Sequence, residues 1–231
     1  MTVLRVSTPS AGVRGIALVL HGGRETSTDP VRAHQLAVLR MIPFARRLAS
    51  AGRAHGLVVA RLRFGQRGWN GELRSPVTDA RGALAELTGR FPGVPVALVG
   101  HSMGARTAVH VAGDPAVRVV VALAPWITPA DPVDTMAGRR LLVVHGEADR
   151  ITDPRASRRY ARQASAVAET VSWVGISGEN HAMLRKPRIW HELTAGYVLG
   201  ALLDAPTVGT VRKQSANLVE KALAGHEPIV V

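Results

Sequence analysis

Ser102 lies at the centre of Gly100-His101-Ser102-Met103-Gly104, directly after the apolar run Val94–Val99 and directly before the helix-forming stretch MGARTAVHVAG. A serine pushed out on a sharp strand-to-helix turn needs small residues two positions away on either side, because strand and helix must approach closely there. Gly100 and Gly104 meet that need. The helix that follows aims its first N–H groups at the place where negative charge would develop during attack on a carbonyl. A serine hydroxyl is a poor nucleophile at neutral pH, so it requires a base to take its proton and an acid to orient that base.

Both partners are available further along. The run LLVVHGEADRITDP carries Asp149 just beyond an apolar strand, and Val171–Val174 leads through Gly175-Ile176-Ser177-Gly178-Glu179-Asn180 to His181. Asp153 competes for the acid role, but it precedes Pro154 and reads as a helix N-cap; Glu147 is a second rival. His101, His145 and His191 each have a local structural explanation. His101 is expected to pack beneath the turn and His145 to brace the acid loop. The two N–H donors for an oxyanion are read as Met103, after the nucleophile, and a residue of the turn His21-Gly22-Gly23, with Gly23 preferred and Arg24 as the alternative. Arg24, Trp69 and Trp126 lie on segments that leave strands on the same side, so they are expected to border the site. Either tryptophan could wall an apolar acyl group or simply pack in the core.

These residues need a frame of short buried strands alternating with helices, and the chain supplies one. Gly15–His21, Leu57–Phe64, Val94–Val99, Val117–Ala124 and Leu141–His145 read as central strands, Val171–Val174 as a further one and Leu4–Ser7 as a weak edge strand. Pro43 is placed to open a helix and Gly52 to close it. Val77–Arg90, Ser102–Gly113 and Pro187–Leu203 are expected to be helices, and Pro154 opens another in which Ala156, Tyr160, Ala164 and Val167 form one apolar stripe. The fold class is therefore α/β, a mostly parallel sheet with helices on both faces. Residues 1–204 are read as one domain and residues 205–231 as a partly helical tail. The connection Ile127–Arg140 is too short for a sizeable lid.

With 231 residues, 46% hydrophobic and 20% charged, the chain has the material for a full core. Cysteine is absent, which excludes disulfides and thiolate chemistry. The start of the chain lacks the pattern of a signal peptide, and no apolar run approaches the roughly 20 residues of a membrane span, so a cytoplasmic location is expected. The formal charge of +12 comes almost wholly from arginines scattered through every segment. No basic stripe or aromatic-interleaved repeat points to nucleic acid.

Taken together, HGG, GHSMG, HGEAD and the GENH segment resemble the α/β-hydrolase superfamily, in particular its small bacterial members with little or no lid, over about Gly15–Leu203. The resemblance implies an acyl-enzyme route with Ser102, His181 and Asp149 as triad and no metal or organic cofactor. It implies a small-molecule acyl substrate, an ester or thioester, and leaves open a peptidase, an acyltransferase or a non-catalytic binder. It says nothing of oligomeric state. Arg24 stands where many esterases continue the glycine run, which departs from the longer HGGG form.

Overall fold

The computed structural model describes residues 2–9, 12–225 and 228–231. Seven strands follow the apolar runs: β1 Val3–Ser7, β2 Gly15–Leu20, β3 Leu57–Arg63, β4 Val96–His101, β5 Val117–Leu123, β6 Arg140–Gly146 and β7 Thr170–Ile176. A short β8, Ile229–Val230, pairs with the outer edge of β7. The eight strands form one sheet in the order β1-β3-β2-β4-β5-β6-β7-β8. Among the described strands only β1 runs antiparallel, against β3. The central strands are buried on both faces, which is why they read as unbroken Val/Leu/Ala runs rather than as alternation.

Six helices cover the two faces: α1 Leu36–Gly52, α2 Ser75–Arg90, α3 Met103–Val111, α4 Pro154–Ala164, α5 Pro187–Leu203 and α6 Lys213–Leu223. Side chains of α2, α3 and α4 pack with Ile16, Leu18, Val58, Leu98 and Val120 on one face. Those of α1, α5 and α6 pack with Ala17, Val59, Val99 and Val121 on the other. Every parallel strand therefore ends at the same rim of the sheet, and the loops that leave this rim carry the residues singled out above.

Several expectations change. Pro43 does not open α1; it lies inside the helix, which starts at Leu36. The buried face of Met41, Phe44, Ala45 and Leu48 holds the helix continuous through the missing N–H. Gly52 does not close it in a left-handed conformation either. The chain continues through a 3₁₀ turn, and Gly56 takes the positive φ, 77°. On α4 the buried stripe is Ser157, Tyr160, Ala161 and Ala164, whereas Val167 lies beyond the helix end and is exposed. The third helix starts at Met103, leaving Ser102 on the turn itself. Past Leu203 the chain forms α6, which buries Val219 and Ala222 in the α5 face of the core, and then β8. The connection from β5 to β6 holds only the 3₁₀ turn Asp134–Met136. No described helix is long and apolar enough to cross a membrane.

Candidate active site

The end of β4 turns sharply into α3 at Ser102, whose backbone has φ 55° and ψ −117°. For a serine that is a strained conformation, retained only where the surroundings over-determine it. They do so here through the two glycines. A Cβ on Gly100 would collide with the Gly104 carbonyl oxygen and lie 2.5 Å from Ala105 N, and one on Gly104 would lie 2.5 Å from the carbonyl oxygens of His21 and Leu20. Ser102 O accepts from Ala105 N, Arg106 N and Trp126 N, so the turn is tied both to its own helix and to the loop after β5.

The loops after β6 and β7 are held against each other by backbone. Glu147 N donates to Ile176 O and Ala148 N to Glu179 O, and Gly146 has no room for a Cβ beside the Glu179 carbonyl oxygen, 2.5 Å away. This brings Asp149 to His181. Asp149 Oδ2 accepts from His181 Nδ1 at 2.8 Å, from Thr152 Oγ1 at 2.8 Å and from His145 Nε2 at 3.1 Å. Its Oδ1 accepts from the N–H groups of Ile151 and Thr152. Burial by itself would raise the Asp149 carboxyl, but the bonds from His145, His181, Thr152 and Ile151 outweigh it and hold the group well below the usual carboxylate range. With Nδ1–H turned to a permanent carboxylate, the His181 ring leaves Nε2 as its free acceptor.

The rival acids are placed otherwise. Asp153 caps α4 by accepting from Arg155 N at 2.8 Å, and exposed Glu147 accepts from Ser177 Oγ. His145 braces the acid loop between Asp149 and Ser157 Oγ. His101 is buried beneath the turn; burial first, then the neighbouring His181 and Arg40, push its pKa well down and keep it neutral. Its Nε2 donates to His181 O at 3.1 Å, and the two rings lie 4.7 Å apart. Among the described residues the Ser102 hydroxyl makes no hydrogen bond to His181; such bonds commonly tighten only when substrate is bound.

The turn after β2 engages its two candidate N–H groups differently. Arg24 N donates to Arg67 O at 2.8 Å and is committed. Gly23 N and Met103 N have no acceptor among the described residues, and a Cβ on Gly23 would strike the Met103 side chain. The two N–H-bearing segments are therefore adjacent, with room only for glycine at position 23.

Residues 11–140 match the family described as serine aminopeptidase, S33. The chain belongs to the S33 family of α/β hydrolases. No curated protein matches the sequence. Among solved structures, an α/β serine hydrolase homologue from Coxiella burnetii shares 20% identity, with 84% of this chain and 90% of that chain covered and a TM-score of 0.63. A lidless α/β serine hydrolase from Xanthomonas campestris gives 22%, 89%, 91% and 0.63. A monoacylglycerol lipase from Paleococcus ferrophilus gives 16%, 87%, 98% and 0.60. At these identities the likeness is one of fold. The family match contains Ser102 and ends before Asp149 and His181.

In this hydrolase the two tryptophans lie together around one arginine, and both line a cavity beside it. Trp69 is buried, and the Arg106 guanidinium lies 4.2 Å from its ring and 4.5 Å from that of Trp126. Asp131 then fixes Arg106 at 2.7 Å and His110 at 2.7 Å. Trp69 is thus a platform for a buried ion pair; Trp126 is half-buried and reaches the Ser102 turn through its backbone N–H. Arg24 does border an open groove of about 320 Å³ that runs past Gly22 and Gly23 to Leu36. A second groove of about 320 Å³ continues from Leu36 past Leu39 and Phe44 to Ala182 and Leu184, beside His181. No cluster of three or more His, Asp or Glu that could hold a metal occurs among the described residues.

Glu179 was not singled out from the sequence, yet it anchors the histidine loop. Fully buried, it accepts from the N–H groups of Asn180, Arg185 and Lys186 and from Trp190 Nε1. Arg40 also donates to His181 O, at 3.3 Å. The one sequence signal for Glu179 is an acid two residues before the histidine; for Arg40 there is none.

Proposed function

We propose that this protein is a carboxylic-ester hydrolase, of the ester or thioester type, working through an acyl-enzyme with Ser102 as nucleophile. The observation that carries the reading is the 2.8 Å bond from His181 Nδ1 to Asp149 Oδ2 at the rim where the strained Ser102 turn ends β4. Ser102 Oγ attacks the acyl carbon as its proton passes to His181 Nε2. The bond to the leaving oxygen or sulfur then breaks as His181 returns that proton to it. Water then adds to the acyl carbon as His181 takes its proton, and the acyl–Oγ bond breaks as His181 returns that proton to Ser102, which releases the acid. Asp149 keeps His181 in the tautomer with Nε2 free and stabilises the imidazolium. The N–H groups of Gly23 and Met103 meet the oxyanion, each worth about 2.7–4 kcal/mol of barrier lowering by analogy with measured donor deletions.

The apolar groove from Leu36 to Leu184 supports an aliphatic acyl or alkyl group of medium length. The family description favours a second reading, a peptidase using the same three residues. A panel of p-nitrophenyl esters from acetate to decanoate, beside aminoacyl p-nitroanilides, separates the two. Turnover rising to a maximum at intermediate chain length and absent in Ser102→Ala is expected; turnover confined to the anilides would replace the ester reading with the peptidase.

A further inference from the structure

A separate cleft of about 90 Å³ opens under the first turns of α1, against the sheet edge made by β1 and β3. Its apolar lining includes Val19, Val38 and Met41, and its polar lining is dominated by Arg5, Arg61 and Arg63. Arg5 and Arg61 stand directly opposite each other in the β1–β3 register, an arrangement of like charges that destabilises an antiparallel pair. Neither they nor Arg63 nor the nearby Arg46 forms an ion pair among the described residues, although seven other arginines do. Arg63 Nε is buried with no acceptor. Burial, then Arg5, then Arg46 lower the pKa of Arg61, as expected of a guanidinium drawn among like charges.

A donor that is dry and unpaired costs free energy, and so does a repulsive strand pair. Both costs vanish if an oxyanion occupies the cleft, because guanidinium groups match carboxylate and phosphate oxygens in pairs. We propose that this cleft is an anion-binding site for a carboxylate or phosphate head that carries a short aliphatic tail. The head lies among Arg5, Arg61 and Arg63, and the tail against Val38 and Met41. Ser102 and His181 do not line it; His21 lines both this cleft and the groove beside Gly23. The site is thus distinct from the reaction centre and does not depend on the ester reading.

Thermal unfolding at low ionic strength, with butyl phosphate, pentanoate, inorganic phosphate and uncharged pentanamide as probes, tests this on the wild type, Arg61→Gln, Arg63→Gln and Ser102→Ala. A rise in melting temperature of about 5 °C is expected at a hundredfold excess over Kd of butyl phosphate or pentanoate. Compared at equal concentration, whichever of the two gives the larger rise identifies the head. Inorganic phosphate should give less and pentanamide none. Arg61→Gln should raise the melting temperature of the unliganded protein, by relieving the repulsion, while losing most of the rise with probe; Arg63→Gln should lose it too, and Ser102→Ala should keep it. No rise with any probe, an equal rise with pentanamide, or a full rise in both arginine variants would overturn the site. An equal rise with inorganic phosphate would overturn the tail.

Discussion

Asp149 Oδ2 receives His181, His145 and Thr152 together, all within 3.1 Å, so the orientation of the His181 ring is set by one fully buried oxygen. Replacing that carboxylate by an amide of the same shape puts a donor where three donors converge. Asp149→Asn should lower kcat by about 10⁴. Steady-state turnover, with far-UV circular dichroism to show that the fold persists, checks this; an unaffected rate would move the acid to Asp153 or Glu147. The positions of Ser102, Asp149 and His181 were legible because each follows a strand that must end at one rim, and because the chemistry constrains residue type. Glu179 and Arg40 were not, since their partners are a backbone N–H or C=O on another loop, and nothing in local spacing reports such pairing. The engagement of Arg24 N was illegible for the same kind of reason: its N–H is taken by Arg67 O, from a loop 43 residues away.

At the scale of elements, the strands were readable to within two or three residues because double-sided burial leaves uninterrupted apolar runs. Helix α1 was not, because Pro43 is a strong local signal that tertiary packing overrides. Four buried side chains on one face, and contact with α5, keep the helix intact across a position that cannot donate to Leu39 O. Pro43→Ala should therefore stabilise the protein by about 1–2 kcal/mol. That is the regained bond and the relieved ring clash, less the freedom proline denies the unfolded chain. The melting temperature should rise by about 2–8 °C, and a fall would show that the kink is needed. The strand β8 escaped notice because two residues carry no periodicity; its partner, the exposed side of β7, exists only in the folded sheet.

The whole molecule carries a formal charge of +12 and buries two neutral histidines at the heart of the rim. His21 uses both nitrogens in its neutral form: Nδ1 donates to Gly22 O and Nε2 accepts from Phe64 N. Burial is the main reason its pKa falls from 6.5 to about 4. Between those values the unfolded chain takes up a proton that the folded chain refuses. Stability therefore rises with pH: the contribution is complete above about 6.5 and is lost as pH falls toward 4. His21 alone should cost about 2 kcal/mol at pH 5 relative to pH 7.5, and His101 adds to it with the same sign. Urea midpoints at the two pH values measure the loss. Equal midpoints would mean that neither histidine is held neutral.

The most direct test of the account is labelling with a fluorophosphonate followed by peptide mass mapping. One adduct per chain is expected on the peptide containing Ser102, absent in Ser102→Ala and strongly slowed in Asp149→Asn. Failure of the folded wild-type protein to label, or persistence of the adduct in Ser102→Ala, would contradict it.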